Sequence, residues 1–146
     1  MKKYKVGFIC VHNSCRSQMA EGLAKKLGSD ILESYSAGTE KYPEVKPLAV
    51  KVMEEDGVDM SNHKPKLLDE VPNKLDILIT MGCNVVCPYV PNKHSEDWGI
   101  EDPSGKDIDE FRKARDEIKK KVEDLLKRIK EKKLGLSDDE SINYLL

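Results

Sequence analysis

An uninterrupted apolar run, Val6-Gly7-Phe8-Ile9-Cys10, passes into a polar stretch of small residues, His12-Asn13-Ser14, and from there into apolar residues at helical spacing. Such a run without polar alternation reads as a buried strand. Met19, Ala20, Leu23, Ala24 and Leu27 recur on one face over Ser17 to Leu27, and Gly28 closes the predicted helix. The alternation continues. Ile31 to Ser36 reads as a second strand stopped by Ala37-Gly38, and Pro47 opens a helix to about Asp56 with Gly57 just past its end. Leu75 to Met81 is the strongest strand signal, Pro88 and Pro91 keep the next segment irregular, and His94 to Ile100 holds a short edge strand around Trp98. Asp107 and Glu110 have capping-box spacing ahead of a long helix from about Ile108 to Lys133. Strands alternating with helices imply an α/β domain whose parallel sheet is covered on both faces. Such sheets bind ligands beyond the carboxyl ends of their strands, where Cys10 and Cys83 both fall.

The 146 residues fit one domain, and 36% of them are charged against roughly 25% in an ordinary domain. The excess is local. Asp109 to Lys133 holds seven acidic and eleven basic residues around the stripe Phe111, Ile118, Val122, Leu125 and Ile129, the solvated face of one helix. With a net charge of −2, bulk charge excludes a basic nucleic-acid binder. No run approaches the ~18 apolar residues of a membrane span. The amino-terminal Met1-Lys2-Lys3-Tyr4-Lys5 lacks the long apolar core of a secretion signal. A cytoplasmic monomer is expected, in which cysteines serve catalysis or metal binding sooner than disulfide scaffolding. The four cysteines form two close pairs, Cys10 with Cys15 and Cys83 with Cys87. A zinc site would use all four, but their spacing lacks the usual Cys-x2-Cys knuckle.

The segment from Cys10 to Ser17 joins strand to helix, which makes it a nest for an oxyanion. Backbone amides of Val11, His12, Asn13, Ser14, Cys15 and Arg16 can converge on one anion, and the helix terminus adds roughly half a positive charge. Arg16 supplies a guanidinium fork suited to two oxygens. The same field favours a thiolate at Cys10, and Ser17 has a hydroxyl to give to its sulfur or to a leaving group. The plainer reading is a buried cysteine beside a surface arginine, and Cys15 can simply pack under the loop.

These residues carry a family resemblance. The stretches Cys10 to Gly22, Ser34 to Gly38, Asp59 to Asn62, Thr80 to Pro88 and Asp97 to Pro103 resemble the low-molecular-weight protein tyrosine phosphatase fold. Within it they are more similar to the thioredoxin-coupled arsenate reductases, over about Tyr4 to Arg128. Gln18-Met19-Ala20 stands where tyrosine phosphatases of this fold usually carry a proline, Ser104-Gly105 follows Asp102-Pro103 in place of aromatics, and Cys83 with Cys87 forms a redox pair. The resemblance implies a single three-layer domain over residues 1–133, with a four-stranded parallel sheet in the order 2-1-3-4 flanked by helices. Residues 134–146 are left as a tail of unassigned role.

It also implies a mechanism. Cys10 attacks arsenic in an arsenate or phosphate-like oxyanion, Arg16 and the loop amides hold the oxygens, and Asp102 acts as general acid. Cys83 then attacks Cys10, Cys87 attacks Cys83, and thioredoxin or a similar dithiol reduces the Cys83–Cys87 disulfide. No bound cofactor and no metal ion is expected. Some relatives bind potassium through an Asn, a Glu, a Ser and an Asp. Asn13, Glu21 and Ser36 match the first three, while Lys66 stands at the fourth position and is expected to replace the ion. His12 stands where many members carry glycine, and His63 and His94 are expected on the surface. Two alternatives remain open: a phosphatase working through a cysteinyl-phosphate, with Tyr42 facing an aromatic substrate, and a non-enzymatic oxyanion-binding or thiol-sensing module.

Overall fold

The computed structural model describes residues 3–82, 90–134 and 136. Cys83 and Cys87, the expected redox pair, lie outside the described residues, as does most of the tail. Tyr4–Cys10 forms β1, Arg16–Gly28 α1, Leu32–Gly38 β2, Pro47–Glu55 α2, Ile77–Thr80 β3, His94–Asp97 β4 and Ile108–Lys130 α3, with a 3-10 turn at Leu68–Glu70. The strands form one parallel sheet in the order β2-β1-β3-β4, as the resemblance implied. β1 is central because its residues are apolar on both faces, and polar His94-Ser95-Glu96-Asp97 accordingly sits at the edge.

Alternate residues of the central strands feed two cores. Val6, Phe8, Ile77 and Ile79 pack with Met19 and Leu23 of α1, Val52 and Met53 of α2, and Ile118, Val122 and Leu125 of α3. Ile9, Ala37, Val71, Leu75 and Leu78 form the smaller second core, against which Leu68 and Val90 pack. Leu134 and Leu136 still pack against the first core beyond the end of α3.

The ends of β2, β4 and α3 differ from the sequence reading, and β3 spans only Ile77–Thr80 of the predicted Leu75 to Met81. β2 runs through Ala37 to Gly38 because Gly38 pairs with Cys10 at the end of β1. β4 stops at Asp97, since Trp98 turns inward onto Phe8 with ring centroids 5.7 Å apart. α3 ends at Lys130, not Lys133. Lys132 takes a left-handed φ of 57°, while its amide and that of Lys133 donate to Ile129 O and Arg128 O.

The capping reading of α3 agrees with the structure: Asp107 Oδ1 accepts the Glu110 amide at 3.2 Å. No described helix is long and apolar enough to cross a membrane.

Candidate active site

Cys10 ends β1 and Arg16 starts α1, so the five residues between them form the turn the sequence predicts. The turn closes tightly because Asn13, fully buried, adopts a positive φ of 54°, a conformation Asn tolerates better than most residues. Its amide donates to Cys10 Sγ at 3.2 Å, and Ser17 Oγ lies 2.9 Å from the same sulfur. Both contacts fix the position of the sulfur at the floor of the loop. Cys15, one residue before α1, is buried. Burial above all, with Asp102 and Cys10 adding to it, pushes its thiol far up, against the pull of Arg16 and Lys46. Cys10 and Cys15 therefore differ in surroundings: an amide and a hydroxyl meet the first sulfur, while burial dominates at the second.

Arg16 is buried and tethered. Its Nη1 donates to Met81 O at 2.6 Å and Ile100 O at 2.8 Å, so one guanidinium nitrogen ties the end of β3 to the loop after β4. Nη2 lies 4.0 Å from Asp102 Oδ2. The expected fork is thus partly committed to the scaffold, and this holds it still for a ligand. Asp102, with a side chain 51% exposed, accepts the Ser104 amide at 3.0 Å. Burial works against its charge, but Ser104, Arg16 and Lys46 outweigh that and hold the carboxyl below its ordinary value. In the free protein Asp102 is therefore a carboxylate at neutral pH. A second negative charge entering the loop pushes it back toward the protonated form that general-acid work needs.

His12 sits at the rim. Its Nε2 lies 3.2 Å from Glu40 Oε1, its ring packs at a tilt against Tyr42 with centroids 4.9 Å apart, and Lys46 Nζ lies over the Tyr42 ring, 4.6 Å from its centroid. Beyond Tyr42 opens a cleft lined by Glu40, Pro43, Pro65, Lys66 and Leu67. Behind the loop, buried Glu21 accepts Ser36 Oγ, Lys25 Nζ at 2.6 Å and Lys66 Nζ at 3.3 Å. Burial opposes its charge, yet Lys25, Ser36 and Lys66 together hold the carboxyl below its usual value. Lys66 thus stands where its ammonium neutralises Glu21, beside Asn13, whose Oδ1 accepts the Lys66 amide at 2.8 Å.

Two residues were misread and one passed over. His63 is half-buried, with Nδ1 2.8 Å from Gln18 Oε1, and His94 is bound to Glu96 Oε2 at 2.7 Å. Neither is a free surface histidine: Gln18 reaches His63 from α1, 45 residues away, and Glu96 meets His94 from two residues further along β4. Gly38 read only as a strand stop. Its lack of a side chain is what lets the backbone of Val11 to Asn13 cross it. Among the described residues no group of three or more His, Cys, Asp and Glu side chains is placed to hold a metal ion.

A hydrogen-bonded thiol, a tight loop at a helix start, a tethered arginine and a facing aspartate on a four-stranded parallel sheet together define a class, the Cys-x5-Arg oxyanion enzymes of this topology. Within that class, the chain belongs to the low molecular weight phosphotyrosine protein phosphatase family, whose sequence model matches residues 5–134. It is 45% identical over 132 residues to an arsenate reductase of Staphylococcus aureus (strain Newman), covering 88% of this chain and 100% of that protein. It is 44% identical over 127 residues to arsenate reductase 2 of Staphylococcus haemolyticus, covering 84% and 96%. A solved arsenate reductase in its phosphate-binding state superposes with a TM-score of 0.80 at 40% identity, over 86% of this chain and 98% of that one. A thioredoxin-dependent arsenate reductase of Corynebacterium glutamicum gives 0.73 at 36% identity, over 88% of this chain and 62% of that one.

Proposed function

We propose that this chain reduces arsenate to arsenite, with Cys10 as nucleophile and thioredoxin as the external reductant, in the cytoplasm. The observation that carries the reading is the Cys10 sulfur itself, held by the Asn13 amide and the Ser17 hydroxyl beside a tethered arginine. The relatives at more than 40% identity are arsenate reductases. Arsenate enters the nest with its oxygens toward Arg16 Nη2 and the amides of Val11, His12, Ser14, Cys15 and Arg16; the Asn13 amide, expected among them, instead donates to Cys10 Sγ. The Cys10 thiolate attacks arsenic, one As–O bond breaks, and Asp102, protonated under the anion's field, delivers its proton to the departing hydroxide. Cys83 then attacks the Cys10 sulfur. The S–As bond breaks with its electron pair going to arsenic, which leaves as arsenite, and a Cys10–Cys83 disulfide remains. The end of β3 supports this step, because Met81 N donates to Ile9 O at 3.1 Å and Cys83 follows two residues later. Cys87 next attacks Cys83, and thiol exchange with thioredoxin returns the protein to its reduced state. No bound cofactor takes part, and residues 1–133 carry the reaction as a monomer.

NADPH oxidation coupled through thioredoxin and its reductase tests the proposal. Turnover should require arsenate and vanish in Cys10→Ser, Cys83→Ser and Cys87→Ser alike. Full arsenate turnover in Cys83→Ser would overturn the cascade. The aromatic rim of Tyr42 over His12 favours one second reading, hydrolysis of aryl phosphates through a cysteinyl-phosphate. Strong hydrolysis of such an ester with no arsenate turnover would establish it instead.

A further inference from the structure

At the amino edge of the sheet, the edge opposite the anion nest, Lys3, Lys5, Lys74 and Lys93 line one cleft of about 440 Å³. All four are exposed. Leu75 and Pro91 supply the apolar part of the cleft. Backbone hydrogen bonds hold its walls together: Leu75 N donates to Pro91 O at 2.9 Å, Asp76 N to Lys5 O at 2.9 Å and Lys93 N to Asp76 O at 3.1 Å. Two carboxylates stand near these lysines. Asp76, which also lines the cleft, accepts the Lys5 amide on Oδ2 at 2.7 Å, and its Oδ1 lies 3.8 Å from Lys93 Nζ. Glu33 pairs in register with Lys5 across β1 and β2 and accepts a hydrogen bond from Tyr35. Four ammonium groups thus face one lining carboxylate. A cleft dominated by one sign of charge focuses its field and draws in the opposite sign.

The chain carries a segment of that sign close by. α3 runs back to the amino edge, where Arg128 Nη2 donates to Glu96 Oε1 of β4 at 3.0 Å. Beyond α3, Leu136 is buried in the first core, which also holds Tyr4, the residue between Lys3 and Lys5. Two residues past Leu136 the sequence reads Asp138-Asp139-Glu140, and from Leu134 to Leu146 it holds no lysine or arginine. Fully extended at ~3.5 Å per residue, residues 137–146 reach up to about 35 Å from Leu136. The four-stranded sheet is only about 15 Å wide, so the whole amino edge is within range. We propose that the acidic tail, through Asp138 to Glu140, docks in the lysine cleft of its own chain. It straps β1, the segment before β3 and the start of β4 to the end of α3. Ile142, Tyr144, Leu145 and Leu146 follow the acidic triplet, so the segment brings apolar surface to meet Leu75 and Pro91. The anchor at Leu136 holds the tail at a high effective concentration over this cleft, which favours it over the tail of a second copy. The family match stops at residue 134, so the strap is additional to the shared fold, and it lies at the other end of β1 from Cys10.

The test treats the full chain with a water-soluble carbodiimide, which joins a carboxylate to a lysine where the two meet, and maps the joined peptides by mass. Mixing ordinary with nitrogen-15-labelled chain separates joins within a chain from joins between chains. Joins from Asp138, Asp139 or Glu140 to Lys3, Lys5, Lys74 or Lys93 should dominate and lie within one chain. Their yield should fall about fivefold or more between ~0.01 M and ~1 M salt, as the Debye length shrinks from ~30 to ~3 Å. Lys74→Glu with Lys93→Glu reverses half of the cleft without touching the cores, since both are exposed. The remaining joins, to Lys3 and Lys5, should then fall about fivefold or more as attraction gives way to repulsion. Adding Asp138→Lys and Glu140→Lys exchanges the signs on both sides. Joins between positions 138 or 140 and positions 74 or 93 should return to within about twofold of the original yield. Tail joins spread over the lysines of α3, such as Lys127 and Lys130, and indifferent to the reversal would overturn the proposal. Joins found only between chains would overturn it too, and would make a second copy the occupant.

Discussion

A Cβ placed on Gly38 would lie 2.6 Å from Val11 O, 2.7 Å from His12 C and 2.8 Å from Asn13 N. All three are backbone atoms of the anion nest, so they cannot yield without deforming it. Gly38→Ala should weaken phosphate binding by roughly tenfold or more and cost about 1–3 kcal/mol of stability as an overpacked site does. Protection of Cys10 from alkylation by phosphate and a thermal melt measure the two effects. Lys66 makes a different kind of prediction. Its ammonium already sits 3.3 Å from Glu21 Oε1, so a monovalent cation has no charge left to neutralise there. Exchanging sodium for potassium should leave arsenate turnover unchanged. A marked rate increase with potassium would show that the lysine does not stand in for an ion. Cys10 and Arg16 were legible because a nucleophile and an anion-binding fork at a strand-to-helix turn leave a local pattern, whereas Asp102 was reached only through the family resemblance. His63 was not, because its partner Gln18 lies 45 residues away and nothing local marks a hydrogen-bonded histidine.

At the level of elements, the edge strand β4 is fastened to the end of α3 by one carboxylate. Glu96 accepts Trp98 Nε1 at 2.9 Å, His94 Nε2 at 2.7 Å and both terminal nitrogens of Arg128. Burial alone would raise its carboxyl, yet Arg128, His94 and Trp98 hold it down to about 2. A carboxyl depressed in the fold stabilises it wherever the unfolded chain's carboxyl is ionised. The contribution is therefore complete above about pH 5 and is lost as pH falls through about 4 toward 2. Glu96→Gln should cost about 1–3 kcal/mol near neutrality and flatten the acid limb of a plot of urea midpoint against pH. An equally steep limb in the variant would assign the acid sensitivity to other carboxyls. The long helix α3 was readable from its period alone, with Ile118, Val122 and Leu125 buried as the stripe required. The end of β4 was not, because Trp98 has strand propensity but gains more by stacking on Phe8 in the core.

For the whole molecule, the nest couples parts that the chain order keeps apart. An anion there touches the end of β1 and the start of α1, while Arg16 holds the end of β3 to the loop at Ile100. Phosphate at about a hundred times its dissociation constant should therefore stabilise the fold by about 2.7 kcal/mol, a rise in melting temperature on the order of 5–10 °C for a domain of this size. Arg16→Ala should abolish that rise, and a shift of equal size in the variant would place the anion elsewhere. The order β2-β1-β3-β4 followed from the family resemblance, and the buried run of β1 lies inside the sheet as a strand apolar on both faces must. By itself the sequence determined the chemistry on offer, namely a thiol, an anion nest and an arginine, because those depend on residue type and close spacing, while the aspartate came with the family resemblance. Only the tertiary structure decided how they are held: which carbonyls tether Arg16, which carboxylate Lys66 neutralises, and which side chain His63 meets. Those are contacts between segments distant in the chain, chosen by how the loops pack at the carboxyl edge of the sheet, and no local pattern encodes them.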